Sequence, residues 1–341
     1  MTTGITIQER GPFASVGTSA IAGTCICSDQ RGTSEWVYHL QPAADGLTAE
    51  FSRVSTSTGA RQILAAPGVL GGNARFGLAT AILPDSSGPT PFGAAVAANV
   101  WLVHASTIAP WLQIQYYNAD TNAWALASQA GGGFDAVGLG NATLNAQWNA
   151  SISMAHPCTT VGPAASDDFL YIGGPNTANV GGLTIYIYRY EISTGTVIAL
   201  ANRAGATGAG YALAWLSRYP DRIYSTRGAA APGSALIDYF GIAGNVWTAV
   251  AYSPNTETFS GGVSMTTVER YNAFALYQGG RILALVPDGP TMSPVGTIYG
   301  ADGTPHVGQK IAVRRVESVV YLYPLPSGAA QLQRLRVVEP A

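Results

Sequence analysis

Four histidines, His39, His104, His156 and His306, are where a search for catalysis starts, because imidazole titrates near neutral pH and serves as base, proton shuttle or metal ligand. Each stands singly. No His-x-His or His-Glu-x-x-His spacing occurs, so no zinc pattern is written in the chain. His156-Pro-Cys158 brings two ligand types close together, but across a proline turn and without a partner cluster; a buried or solvated pair is expected there. Asp167-Asp168 precedes an apolar run, where carboxylates shape a turn, and a calcium site would need more oxygen ligands at short spacing. Neither a Gly-x-Ser-x-Gly elbow nor a Gly-x-x-x-x-Gly-Lys loop is present, and Gly138-Leu-Gly140 lacks the third glycine of a dinucleotide fingerprint. The expectation is a protein with no catalytic residues, no bound metal and no cofactor.

Cys25, Cys27 and Cys158 are an odd set that fits neither a disulfide framework nor paired zinc ligands, so buried thiols are expected. Ser28 to Trp36 is faintly similar to the Asp-box of sialidases, with the aspartate, Asp29, one place early and the tryptophan one late, and reads better as a plain hairpin turn. Trp101, Trp111, Trp124 and Trp148 would suit either a sugar-stacking platform or internal packing. Arginine is what remains. Lys310 is the sole lysine among 17 basic residues, and Arg314-Arg315 with Arg334 and Arg336 gather near the C-terminus. Alternation places Arg334 and Arg336 on one face of a strand. That face is either an interface or phosphate contact, or the solvated surface of an outer strand.

The elements that would position these groups are strands. Long apolar stretches of period 3.6 are nearly absent, whereas short runs of Val, Ile, Tyr, Trp and Thr bounded by Gly, Pro, Asn and Asp continue to the end. Tyr116-Tyr117-Asn118-Ala-Asp120-Thr-Asn122-Ala-Trp124 is the clearest phrase: a strand, a polar turn built by self-bonding Asn and Asp, and a returning strand opened by tryptophan. Comparable units run from Phe51 to Leu64, from Ile185 to Leu200 and from Leu236 to Val250. An aromatic strand precedes each, at Trp36 to Leu40, Val100 to Val103, Phe169 to Gly174 and Arg222 to Tyr224, and further copies of that strand stand at Ala273 to Tyr277 and, more weakly, Val319 to Tyr323. Small-residue runs such as Phe76 to Leu83 and Trp148 to Met154 lie upstream and suit strands crowded at a narrow axis.

This periodicity predicts an all-β chain with under about 10% helix: one β-propeller domain over residues 1–341, with about six four-stranded blades. The units are expected to begin near Arg10, Gly72, Ala146, Thr207, Thr258 and Pro305. The phrase resembles the kelch repeat, with Gly173-Gly174, Tyr190 and Thr194 matching in the third unit and Tyr117, Thr121 and Trp124 in the second. The third unit has Val197 where kelch repeats carry tryptophan. A pair of β-sandwiches or a prism is the alternative architecture.

The formal net charge of -2 gives no global attraction to nucleic acid or anionic membranes. No basic and apolar leader stands at Met1 to Gln8, and no run approaches the length of a membrane helix, so a soluble protein made in a cytoplasm is expected. A propeller so rich in small residues, so poor in lysine and without a catalytic constellation resembles the tail nozzle proteins of short-tailed bacteriophages. That resemblance implies a virion tail component: a homo-oligomer, hexameric by expectation, that rings the DNA ejection channel. Its partners would be portal or adaptor proteins, tail fibres or spikes, and passing DNA held without sequence-specific binding. The alternatives are a non-catalytic carbohydrate-binding kelch propeller and a protein-interaction scaffold.

Overall fold

The computed structural model describes residues 6–20, 24–28, 35–43, 48–68, 76–80, 98–105, 112–127, 133–134, 152–155, 169–176, 183–192, 194–206, 212–226, 237–250, 264–278, 281–287, 292–297, 311–316 and 319–338. These residues form six antiparallel sheets, each a blade of a six-bladed β-propeller. The sole helical element among them is a three-residue 3-10 turn at Glu269–Tyr271.

An N-terminal strand, β1 (Thr6–Ser15), precedes the first blade, which is β2 (Cys25–Ser28), β3 (Trp36–Pro42), β4 (Ala49–Ser55) and β5 (Arg61–Ile63). Blade 2 runs β6 (Phe76–Thr80), β7 (Ala98–Ala105) and β8 (Leu112–Asn118), with β9 (Ala123–Leu126) and β10 (Gly133–Phe134) both pairing on the outer edge of β8. Blade 3 is β11 (Ser153–Ala155), β12 (Phe169–Asn176) and β13 (Leu183–Glu191), with β14 (Val197–Ala199) and β15 (Arg203–Ala206) sharing the outer position. Blade 4 comprises β16 (Leu213–Trp215), β17 (Arg222–Thr226), β18 (Ile237–Gly241) and β19 (Val246–Val250). Blade 5 comprises β20 (Ser264–Val268), β21 (Ala273–Gln278), β22 (Arg281–Leu285) and β23 (Met292–Thr297). Blade 6 is β24 (Ile311–Val316), β25 (Val319–Pro324) and β26 (Gln331–Val338), completed by β1.

That last pairing closes the ring. Thr6 stands opposite Val338 and Ser15 opposite Gln331, so the two ends of the chain share one sheet. It corrects one expected boundary: a unit beginning near Arg10 is wrong, since Arg10 belongs to blade 6 and blade 1 starts at Cys25. The other five starts fall just upstream of the observed inner strands β6, β11, β16, β20 and β24. It also explains why the sixth unit lacks a returning outer strand of its own.

Six hydrophobic clusters hold the propeller together, and each straddles two neighbouring blades. Blade 2 meets blade 3 through Trp101, Ile114, Ile172 and Tyr190, and blade 6 meets blade 1 through Ala14, Tyr323, Ile26 and Val54. Strand alternation makes this possible, because each blade buries both faces against different neighbours. Nearest the axis, hydroxyls stitch inner strands together. Ser28 donates to the Val313 carbonyl, the Leu213 amide donates to Ser153 Oγ at 2.8 Å, and Thr267 donates to the Trp215 carbonyl at 2.6 Å. Small polar residues are placed there because a bulkier side chain would hold the inner strands apart.

Blades 1 and 2 are echoed by blades 3 and 4. In blades 1 and 3 the hairpin between the third and outer strands turns through glycine, Gly59 at φ 73° and Gly195 at φ 70°. Blades 2 and 4 use asparagine instead, Asn122 at φ 49° and Asn245 at φ 50°, the non-glycine residue that best tolerates the left-handed region. Asn was chosen for more than its backbone. Asn122 Oδ1 accepts from the Ala65 amide at 3.0 Å while the Trp124 indole donates to the Ala65 carbonyl at 2.8 Å. Asn245 and Trp247 bind both backbone groups of Ala201 in the same way, at 2.8 and 2.7 Å. Each Asn-x-Trp thus fastens its blade to the segment leaving the previous one.

Candidate functional site

Among the described residues, no three His, Cys, Asp or Glu side chains lie close enough to hold a metal ion. His104 is fully buried in blade 2 with its Nε2 at 3.1 Å from Gln115 Nε2. His39 is buried in blade 1, its Nδ1 at 3.4 Å from Ser52 Oγ, which in turn accepts from Arg61 Nε at 3.4 Å. Arg61 also pairs with Glu50. Burial and then the nearby Arg61 charge pull the His39 pKa down to about 4, so its imidazole is neutral at physiological pH. Cys25 and Cys27 are buried on β2, and burial raises the Cys27 thiol well above its ordinary value. Such a thiol is a poor nucleophile.

The two described tryptophans of that set do not build an open platform. Trp101 is fully buried against Tyr116 and Tyr190, and Trp124 is half-buried against Phe51 and Tyr117. Trp111 and Trp148 lie outside the described residues, as do His156, Cys158, Asp167, Asp168, Gly138 to Gly140, Asp29, His306 and Lys310.

Three of the four arginines singled out in the sequence meet on one face of blade 6. Register places Arg314 of β24 opposite Tyr321 of β25, which stands opposite Arg336 of β26. Arg334 lies two residues before Arg336 and so shares its face. Neighbours on that face, Ala312, Tyr323 and Leu332, pack toward blade 1, whereas Val313, Leu322 and Leu335 pack toward blade 5. The arginines therefore face the closing seam between blade 6 and blade 1. Arg315 takes the intervening strand position opposite Val320, and its side chain is outside those described. β26 is the third strand of its sheet, covered by β1, and not an outer strand.

At this seam Arg334 lies over the Phe13 ring at 4.5 Å and 5.6 Å from the Tyr321 centroid. Arg314 is only 9% exposed. Its Nε and Nη1 have no hydrogen-bond partner among the described residues. The Tyr323 hydroxyl, deep in the same seam, is pushed up to about 12 by burial, against the opposing pull of Arg334 and Arg314.

Arginine over aromatic recurs, and the sequence reading missed it. Arg53 lies 4.0 Å over Trp36 in blade 1 and Arg189 lies 4.6 Å over Phe169 in blade 3. In both, the arginine stands opposite a buried tyrosine, Tyr38 or Tyr171, two residues along from the ring it covers. Blade 4 exchanges the two partners: Arg222 occupies the second strand and lies 4.5 Å over Tyr239 of the third. The signal available was aromatic-x-Tyr on one strand with arginine on the next, and its register was needed to see it. A desolvated guanidinium on a ring contributes up to about 2 kcal/mol, so most of these arginines are structural.

Around the rim, the outer strands present apolar side chains to solvent. Ile63 is 64% exposed on β5, Leu126 50% on β9, Ile198 39% on β14 and Val246 58% on β19. None of β9, β14 and β19 contains a charged residue or proline. Natural edges usually carry such residues to block pairing with other chains.

No protein-family model matches the chain, and no curated protein matches it. Among solved structures it is similar to TolB from Acinetobacter baumannii, with TM-score 0.45 and 10% identity over 93% of this chain and 64% of that one. The chain thus spans less than two thirds of TolB. It is also similar to an auxiliary nutrient binding protein from Bacteroides thetaiotaomicron, with TM-score 0.49 and 9% identity over 98% of this chain and 73% of that chain. An oligogalacturonate lyase in complex with manganese gives TM-score 0.43 and 11% identity, covering 96% and 85% of the respective chains.

Proposed function

We propose that this propeller is a structural, non-catalytic subunit that assembles with further copies of itself, and that it serves as a nozzle-like tail component of a short-tailed bacteriophage. The observation that carries the reading is the rim, where exposed Leu126, Ile198 and Val246 meet no gatekeeping charge on β9, β14 and β19. Apolar edges of this kind lose exposed area when a neighbouring copy packs against them. A surface with one lysine in 341 residues fits the same account, since lysine is depleted where surfaces are buried in assemblies.

Within a ring of copies, DNA would pass between subunits and not along the propeller axis. Every described side chain of β2, β11, β16, β20 and β24 is buried, so none of them is open to DNA along that axis. A channel wall with the chain's net charge of -2 would release few counterions on contact with phosphates, which lets DNA slide without adhesion. Portal or adaptor proteins and fibres or spikes would dock on the remaining surface.

Sedimentation velocity tests this directly. The purified chain is expected to form a closed ring of about six copies, as homo-oligomers with heterologous contacts do. Val246→Lys combined with Ile198→Lys is expected to yield monomers of unchanged thermal stability. A wild-type chain that stays monomeric at high concentration, with neither substitution altering its sedimentation, overturns the reading.

A further inference from the structure

We propose that the closing seam between blades 6 and 1 holds a small phosphate-type oxyanion, bound by Arg314 with Arg334 of the same blade face. The proposal is independent of the assembly reading. It begins with a charge that lacks a counterpart among the described residues. Arg314 is 9% exposed, its Nε and Nη1 have no partner among the described residues, and none of the ion pairs found there includes it. A guanidinium does not shed its proton in a protein, so burial leaves the positive charge in place. A buried charge without a partner costs several kcal/mol, and an anion seated beside it removes that cost.

The surroundings favour an oxyanion over a lone halide. Arg314, Tyr321 and Arg336 form a row across three strands, which sets the two arginine Cα atoms about 10 Å apart at the usual strand spacing. Arg334 lies about 7 Å along the strand from Arg336, on the same face. The guanidiniums of Arg314 and Arg334 on this face offer forked donors to several oxygens of one tetrahedral ion. Tyr323 adds a buried phenol, which donates to such an ion in its neutral form. On the same face the register places Glu9 of β1 opposite Arg336, and blade 1 contributes the Arg61 and Glu50 pair, which already satisfy each other. Glu35 stands at the blade 1 turn and accepts from Ser57.

Burial also sets the size of the ligand. Arg314 sits on the innermost strand, out of reach of a polymer backbone, so the seam fits a free ion and not a phosphate carried by nucleic acid.

The experiment uses the full chain, dialysed into chloride buffer and titrated with inorganic phosphate, with chloride adjusted to constant ionic strength. The melting temperature is expected to rise by several degrees and saturate, as it does when a ligand binds only the folded state. Arg314→Met is expected to melt no lower than wild type in chloride and to lose the phosphate response, because it removes the charge while keeping the apolar stem. Arg334→Met, on the half-buried side of the site, is expected to raise the phosphate concentration at half-saturation about tenfold. Isothermal titration with phosphate supplies a readout independent of folding. Three results overturn the proposal: a melting temperature indifferent to phosphate, an Arg314→Met protein destabilised equally in both buffers, or a response reproduced by a short oligonucleotide at equal phosphate concentration.

Discussion

Trp124→Ala should destabilise the propeller by about 3 to 4 kcal/mol, and the figure can be built from what the side chain touches. Its ring packs edge-on against Phe51 of blade 1 at 4.9 Å between centroids and tilted against Tyr117 at 5.6 Å. Truncating a fully buried tryptophan costs about 3 to 5 kcal/mol. Trp124 is half-buried, so the transfer contribution falls to about 2 kcal/mol. The two aromatic contacts add about 1 kcal/mol beyond area. Loss of the 2.8 Å bond from the indole to the Ala65 carbonyl contributes about 1 kcal/mol more. Urea unfolding followed by tyrosine fluorescence measures the total, and Trp124→Phe isolates the hydrogen bond at about 1 kcal/mol. Asn122→Gly keeps the left-handed turn but removes the bond to the Ala65 amide, so it should cost a similar amount. A Trp124→Ala loss below about 1 kcal/mol, with Asn122→Gly also neutral, would refute the idea that Asn-x-Trp fastens neighbouring blades.

His39, with its folded pKa of about 4 against an ordinary 6.5, is a stability switch whose sign is fixed. The unfolded chain binds the proton first, so this contribution is complete above about pH 6.5, is lost as pH falls toward 4 and changes no further below that. The loss amounts to about 3 kcal/mol, and His39→Gln should flatten that part of the urea midpoint against pH curve. Arg203 and Asp238 pair at 2.6 Å between blades 3 and 4, with Asp238 only 1% exposed. Arg203→Met should therefore cost about 3 to 5 kcal/mol in denaturant unfolding, and adding Asp238→Asn should recover most of it. Gly59→Ala forces a side chain into φ 73° with its Cβ 3.2 Å from the Phe13 carbonyl oxygen. A loss of about 1 to 2 kcal/mol is expected in the same assay.

What the sequence determined by itself was local. The turn through Asn118 and Asn122 is legible because Asn118 Oδ1 accepts from the amides of Asp120 and Thr121, within four residues. Alternating aromatics mark the second and third strands because each side chain's face follows from its place along the strand, and small hydroxyl residues mark the inner strands. Repetition of these local rules was enough to reach six blades of four strands. In the observed register Tyr117 stands opposite Trp124 and Tyr190 opposite Val197, each pair spanning one such turn.

Closure was a different matter. The pairing of β1 with β26 joins residues more than 300 apart, as Thr6 Oγ1 bonds the Val338 carbonyl, and nothing local in Thr6 to Ser15 distinguishes a blade 6 edge from a blade 1 start. Arg334 and Arg336 were legible as one strand face, but only β1 laid beside β26 turned that face from an outer surface into a seam. The Arg222 and Tyr239 exchange in blade 4 was equally hidden, because a cation over a ring is satisfied whichever strand supplies each member. Hairpin register is written in neighbouring residues and costs little loop entropy to form, whereas ring closure and seam charge depend on partners that meet only after the whole chain has been placed.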